Sequence, residues 1–339
     1  MTYGPSNRNS AGPSRRYVLA AVGTALTLPL SAVAQQTRTL RYGSLFNPDH
    51  TSSRSSDHFA ELVGKKTGGR LQVQVFHNAQ LGNEVQVGEG VRSGTIDVGF
   101  AGSSGFGGFI RDIRVLELPY LYSSFDKIHA VFTQVWPTLT ELFSANGIQL
   151  LGNIYEGPRM TLATRPLRTL QDLKGLKLRV PQAAVYIEMA KALGAIPTPV
   201  ALPEVYTALQ AKVADGLEGA PSTLLTGKYY EVAKHLMRTD HVFNATYIGM
   251  NPAVFKALPP EFQAAVIEAG REATVYNLEL VKKAAEADLD QLAKVGITIV
   301  SPDLAPFRAA VAGPNERYAQ GLGGRAMELF GIAKQVGNV

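Results

Sequence analysis

Between Thr39 and Phe100 three short stretches suited to strands alternate with two suited to helices, and no other feature constrains the fold as much. "LRYGSLF" is the first strand. The stretch from Ser52 to Lys66 sets Phe59, Leu62 and Val63 on one helical face, and "TGG" closes it. "RLQVQVF" alternates apolar and polar residues, the period of a half-buried strand. "EVQVGEGVRSG" reads as a helix ended by Gly94, and "IDVGF" as a buried strand. Alternation of this kind implies an α/β chain, a parallel sheet covered by helices.

A second unit of the same kind begins near Gly157. It holds "RMTLATR", "LKLRV", a helix over about 183–193, the short "IPTPV" and a helix over 203–212. From Pro260 to about Val295 apolar residues recur at helical spacing, among them Phe262, Val266, Ala269, Val281, Leu289 and Leu292. At 1.5 Å per residue one such helix spans ~50 Å and could brace two domains, with Gly270 the place where it could instead kink into two. The length of 339 residues suits about two domains.

The first residues read as an export leader. Arg15 and Arg16 precede an apolar run from Val18 to about Leu30, and Ala32 and Ala34 form an A-x-A cleavage pattern. The run is shorter than the ~20 residues that cross a bilayer, and an N-terminal anchor is the alternative. The arginine pair after Ser14 resembles a twin-arginine signal, but Ala20 stands where a basic residue is common, so a Sec route stays open. The expectation is a signal peptide over 1–34 and a periplasmic mature chain from Gln35. Removing Arg8, Arg15 and Arg16 lowers the net charge from +5 to +2. A near-neutral body argues against nucleic acid or a membrane surface as partner. The chain has no cysteine, so disulfides, a thiolate nucleophile and a lipoprotein anchor are excluded.

Catalytic and metal-binding patterns are weak. "AGSSGFGGF" over 101–109 follows a strand but lacks a Lys-Ser/Thr pair and G-x-G-x-x-G spacing. Ser103 and Ser104, as hydrogen-bonding groups at a strand end, fit it better than a phosphate cradle. The six histidines show no metal-ligand spacing, and there is no G-x-S-x-G elbow. Asp215 and Glu218 in "ADGLEGAP" could serve a secreted glycosidase as acid and base. They lie three apart around one glycine, where a structural role fits better.

The basic residues suggest more. In "GLKLRVPQ", Leu178 and Val180 face a core, Arg179 faces away from it, and Pro181 ends the ladder. Arg159 follows "IQLLGNI" and "YEGP". In open α/β sheets ligands bind beyond the carboxyl ends of strands. An arginine there offers a planar fork of donors matched to a carboxylate, and two would form an anion clamp. The plainer alternative is a surface ion pair.

The runs "DLKGLKLRVPQ" (172–182), "ALGAIPTPVALPEVYTALQAKVADGLEGAP" (192–221) and "YYEVAKHLMRTDH" (229–241) carry a resemblance. So do residues 59–100, "LELPYLY" (116–122) and "LPPEFQAAVIEAG" (258–270). Over essentially the whole mature chain the sequence resembles the DctP-type extracytoplasmic solute receptors of TRAP transporters. The resemblance implies a periplasmic-binding-protein-like fold, two α/β domains around a cleft with a long bracing helix. Domain I would cover 35–156 with a returning segment at about 246–300, and domain II 157–245. The bracing helix would cover 260–295 and a C-terminal segment 296–339.

The resemblance also implies a monomer that binds a small organic acid: a hydroxy or sugar acid, a uronate or a short dicarboxylate. Delivery would be to the membrane subunits of a sodium-driven TRAP permease, with no catalysis, cofactor or metal. A ligand-sensing module for a membrane kinase would share the fold. Arg179 matches the family's carboxylate-binding arginine in "LRVP", Arg159 a second arginine used by many members, and Glu218 the acid of the "DGxE" turn. Two positions depart. Gly219 stands where members that bind certain sugar acids carry Asn, and Leu202 where some place Phe. Ser103, Ser104, Glu84, Phe46, His50, Tyr155, Tyr186 and Phe243 are candidate lining groups by position alone.

Overall fold

In this computed structural model residues 37–337 are described, so the leader expected over 1–34 lies outside them. The first half of the sheet is built from β1 (Arg38–Gly43), β2 (Leu71–Phe76) and β3 (Val98–Ala101), connected through α1 (Thr51–Lys66) and α2 (Glu84–Ser93). β1 pairs in parallel with both neighbours. Each helix begins on a built cap. His50 Nδ1 accepts the Ser52 N–H at the start of α1, and Asn83 with Gln86 forms a capping box on α2. Gly94 then ends α2 in the left-handed region, at φ 85°.

α3 (Phe125–Ala145) leads into β4 (Gln149–Ala163). The second half follows as β5 (Lys177–Val180), α4 (Ala184–Ala192), β6 (Ile196–Pro199), α5 (Val205–Gln210), β7 (Gly216–Gly219) and α6 (Pro221–Thr226). β8 (His235–Met250), α7 (Pro252–Lys256), α8 (Pro260–Lys294), β9 (Thr298–Val300), α9 (Ala305–Leu322) and α10 (Gly324–Gly337) complete the chain. The strand order is β2-β1-β3-β8-β4-β7-β5-β6, with β9 beside β8.

One difference from the sequence reading matters for the site. "IQLLGNI" and "RMTLATR" belong to a single strand, β4, which continues through Gly157 and Pro158. Gly-Pro reads as a break because proline has no N–H for a ladder. Here the register with β8 shifts between Tyr155 and Gly157 and again between Arg159 and Thr161, and an irregular ladder tolerates the missing donor. β4 and β8 thus form one long antiparallel ribbon. Its one end, at Tyr247–Met250, pairs with β3, and its other end pairs with β7 and β9. The ribbon carries the chain between the two halves, and its irregular middle lies at the crossing.

The expected long helix is present and unbroken, 35 residues from Pro260 to Lys294. Gly270 does not kink it. It allows a close approach, since a Cβ there would collide with the Leu151 carbonyl oxygen of β4. One turn on, Thr274 Oγ1 accepts the Asn153 N–H at 2.9 Å, and two turns on, Asn277 Oδ1 accepts the Tyr155 N–H at 2.6 Å. The far end of α8 places Leu289 and Leu292 in a second apolar core with Met160, Leu162, Leu217 and Leu236. The main core gathers Tyr42, Phe59, Phe100, Phe132 and Tyr247. One unbroken helix therefore packs against both halves, the position a bracing element would take.

Candidate functional site

A cleft lies where the β4–β8 ribbon crosses between the halves, with about 630 Å³ of non-protein space, part of it open to solvent. Glu156 and Arg159 reach it from the irregular stretch of β4, Asn244 from β8, and Arg179 from the end of β5. Glu84 comes from the first turn of α2, and Glu117 from the end of a 3₁₀ turn over Arg111–Glu117.

The two arginines differ in their partners. Arg159 donates from Nε and Nη2 to the two carboxylate oxygens of Glu218, at 2.5 and 2.7 Å. Its Nη1 reaches Glu156 at 3.4 Å, and its guanidinium lies over the Tyr186 ring, 5.1 Å from the centroid. Burial would raise the Glu218 carboxyl, but the Arg159 charge and hydrogen bonds outweigh it and hold the group at about 2. Arg179 is equally buried, at 4% exposure, yet has no carboxylate within salt-bridge distance among the described residues. Its Nε and Nη2 both donate to the Val200 carbonyl, at 2.9 and 2.7 Å. Three of its five N–H donors have no partner among the described residues. Burial pulls its pKa below the ordinary arginine value. Leu178 and Val180 are buried as expected, but Arg179 is covered too rather than sitting on an open face.

Three acids also line the cleft, Glu84, Glu117 and Glu156. Glu117 is 3% exposed, and burial, with the nearby Glu84 charge, pushes its carboxyl up to about 8. Burial raises Glu156 to about 7, partly offset by Arg159. The glycine-rich stretch is tied to these acids. The Gly102 N–H donates to Glu84 at 2.7 Å and the Ser103 N–H to Glu117 at 2.8 Å. Both amides are thereby engaged by carboxylates, which a phosphate cradle could not tolerate.

Two hydrogen bonds join the halves beside the cleft. His50 Nε2 and Thr223 Oγ1 are 3.1 Å apart, and Asn47 Nδ2 donates to the Thr226 carbonyl at 2.8 Å. Phe46 stacks on the His50 ring at 3.7 Å between centroids.

Of the residues picked out in the sequence, Arg179, Arg159, Glu84, Ser104, Tyr186, Phe46 and Leu202 line the cleft. Glu218 stands behind Arg159, buried at 1%, and His50 stands behind Phe46 and Thr223. Four expected placements need correction, Tyr155, Phe243 and Ser103 from chain position and Gly219 from the resemblance. Tyr155 lines a separate apolar hollow against α3 and α8, its hydroxyl bonded to His129 at 2.9 Å. Phe243 packs edge-on against Phe125, because successive side chains of β8 point to opposite faces and Asn244 takes the cleft side. Gly219 and Ser103 are buried beside the cleft but do not line it. Asp215 accepts the Lys177 N–H at 3.1 Å, and Glu218 is bound to Arg159, so they do not form an acid–base pair.

Sequence reasoning missed Glu117, Glu156 and Asn244. A signal existed: each is a strongly polar residue in a mostly apolar run, "VLELPYLY", "LLGNIYEGP" and "HVFNATYIGM". A lone acid kept in such a run faces either burial with a purpose or a large desolvation cost.

A two-halved α/β fold, a bracing helix and a buried polar cleft at the chain crossing define a solute-binding receptor in architecture. Residues 42–320 match the family model DctP, bacterial extracellular solute-binding protein family 7, and the chain belongs to that family. It is 30% identical to the 2,3-diketo-L-gulonate-binding periplasmic protein of Escherichia coli strain K12, over 93% of this chain and 92% of that one. Its fold matches a TRAP periplasmic solute-binding protein from Xanthobacter autotrophicus Py2 with bound β-D-galacturonate. The TM-score is 0.83 at 26% identity, over 88% of this chain and 99% of the other. The sugar acid binding protein of Advenella mimigardefordensis, in complex with galactonate, matches at TM-score 0.85 and 26% identity, over 89% and 99%. The family is one of transport receptors rather than enzymes.

Proposed function

We propose that the protein is a periplasmic receptor that grips the carboxylate of a sugar acid or related small organic acid on Arg179 and presents it to a sodium-driven TRAP permease. One observation carries this reading. Arg179 is a buried guanidinium with three unused N–H donors and no carboxylate partner among the described residues. A buried unpaired charge costs several kcal/mol, and a ligand carboxylate would supply the missing counter-ion in a bidentate, water-poor geometry. Arg159, already paired with Glu218, serves as a lining group and a contact to the rest of the ligand rather than as the primary grip. The leader expected over residues 1–34 fits export.

The register shifts in the middle of the β4–β8 ribbon support placing the expected domain boundaries near residues 156 and 245 there. Hinge closure at this point, with α8 absorbing the bend, is part of the reading. Calorimetric titration of a sugar-acid panel against wild type and Arg179→Ala tests the proposal. Loss of one partner of a buried pair costs ~2–5 kcal/mol, so the variant should bind at least about thirtyfold more weakly. Equal affinity in the two proteins would place the grip elsewhere.

A further inference from the structure

The hydrogen bond that ties α1 of the first half to α6 of the second has a fixed direction. His50 Nδ1 accepts the Ser52 N–H at 3.0 Å, so that nitrogen carries no proton. A neutral imidazole has one N–H, which must then be at Nε2. The ring is wholly buried, and burial lowers its pKa to about 3, so it stays neutral. Phe46 lies parallel to it, within 5° and 3.7 Å between centroids, and Phe100 stacks on Phe46 in turn. The helix cap sets the tautomer of the ring, and the aromatic stack sets its plane. His50 Nε2 therefore donates to Thr223 Oγ1, at 3.1 Å.

That donation leaves the Thr223 hydroxyl with a proton of its own to place. Thr226, three residues on, turns its hydroxyl back to the Ser222 carbonyl at 2.7 Å. Thr223 makes no such bond, and its hydroxyl has no acceptor among the described residues. The side chain is 6% exposed and lines the cleft. A covered donor without an acceptor is rare and costly, and an oxygen placed in the cleft would satisfy it. Hydrogen bonds in series polarise one another. An acceptor on the cleft side would make Thr223 Oγ1 a better acceptor for His50, and so tighten the contact between the halves. Asn47 adds a second tie at the rim, from its Nδ2 to the Thr226 carbonyl at 2.8 Å.

We infer that Thr223 donates its hydroxyl proton to an oxygen of the bound ligand, and that His50, acting through Thr223, is the positioning residue that couples this contact to closure of the two halves. The step rests on the receptor function and the hinge closure proposed above. One oxygen atom then holds both the ligand and the opposite half, so the ligand leaves only as the tie loosens. The contribution therefore falls mainly on the rate of release, where most affinity differences among variants of one site lie.

Two substitutions at one position test the contact. Thr223→Val keeps the shape of the side chain and removes the hydroxyl, whereas Thr223→Ser keeps the hydroxyl. The probes are galacturonate and galactonate; calorimetry gives affinity, and chase of radiolabelled probe with unlabelled excess gives the release rate. With the tighter probe Thr223→Val should bind at least about tenfold more weakly, mostly through faster release, and Thr223→Ser within about threefold of wild type. His50→Asn keeps a cap acceptor for the Ser52 N–H and removes Nε2. It should weaken binding about fivefold alone, but no more than about twofold when added to Thr223→Val, because its effect passes through that hydroxyl. Equal losses from His50→Asn in both backgrounds overturn the inference. So does a Thr223→Val protein that binds and releases like wild type, or a Thr223→Ser protein no better than Thr223→Val. Should His50→Asn fail to fold, as judged by circular dichroism, the valine–serine pair decides. Failure of the receptor reading looks different: neither probe binds wild type, and the inference falls with it. Normal binding by Arg179→Ala beside weak binding by Thr223→Val sinks the grip on Arg179 and leaves the Thr223 contact standing.

Discussion

Arg159 and Arg179 stand in one cleft, are buried to the same degree, and do opposite things. Arg159 sits in mid-ribbon, its charge matched by Glu218 across two strands. Arg179 ends a short parallel strand and leans only on the Val200 carbonyl. An arginine that has its carboxylate is part of the fold. One that lacks it is free, under the function proposed above, to take a carboxylate from outside. The carboxyls repeat the contrast: Glu218, paired, is held at about 2, whereas Glu117 and Glu156 are pushed up to about 8 and about 7.

The largest effect should come from breaking the paired side. Glu218→Ala leaves Arg159 buried with only the longer contact to Glu156. Removing one partner of a buried pair costs ~3–5 kcal/mol, which a urea midpoint would register. If Glu218→Ala unfolds with the wild-type midpoint, the Arg159 pair is not structural and the contrast collapses.

The unpaired side should behave in reverse. Arg179→Met keeps the length of the side chain and removes a buried cation, at the loss of two donors to one carbonyl. Folding stability should stay within about 1 kcal/mol of wild type. Affinity for the cognate acid should fall at least about thirtyfold, ~2 kcal/mol. Arg179→Lys keeps charge but not the planar fork, so its affinity should also fall clearly. A methionine variant that loses stability and keeps affinity would exchange the roles of the two arginines.

Acidity sharpens the contrast without mutation. For Glu117 and Glu156 the folded values of about 8 and about 7 lie above the ordinary 4.5. The folded state then holds protons that the unfolded state has released. Their contribution is complete below about pH 4.5 and is lost as pH rises through about 7 to 8. Glu218 has the opposite sign, present above about 4.5 and lost as pH falls toward about 2. Buried His50, lowered to about 3, begins to oppose folding only below its ordinary 6.5. Between pH 6.5 and 8 the two raised acids therefore dominate. The ligand-free protein should lose roughly 2 kcal/mol across that window, read as a fall of several degrees in melting temperature. Glu117→Gln should flatten the slope, and an unchanged slope would remove Glu117 as its source.

Much of this was legible before any coordinates. Strand–helix alternation from Thr39 to Phe100 depends on local spacing, and so does the long amphipathic run from Pro260. Arg179 was legible because a charged residue before Pro181 at a strand end leaves few places for it to go. What stayed hidden depends on distant pairing. Nothing near Arg159 in sequence shows that Glu218, on another strand, already holds it. Gly157 and Pro158 disguised a continuous strand, and with it the fact that Glu156 and Asn244 face each other across the ribbon. The exposure of Glu117 could not be read locally, because a lone acid in an apolar run is equally compatible with a loop.

Tyr155 gives the smallest effect and tests the side of the ribbon on which recognition happens. It follows Ile154 and precedes Glu156 on β4, so chain position alone makes it as good a candidate as Glu156. Strand alternation decides otherwise, since neighbouring side chains leave a strand on opposite faces. Glu156 enters the cleft, and Tyr155 turns to the hollow under α3, where its hydroxyl meets His129 and its ring meets Phe132 edge-on. Tyr155→Phe keeps the ring packing and removes one partly buried hydrogen bond, worth about 1 kcal/mol of stability. Ligand affinity should stay within about twofold of wild type, a difference under ~0.5 kcal/mol. A clear loss of affinity with unchanged stability would mean that the hollow and the cleft communicate through β4, and the division of the ribbon into a packing face and a binding face would fail.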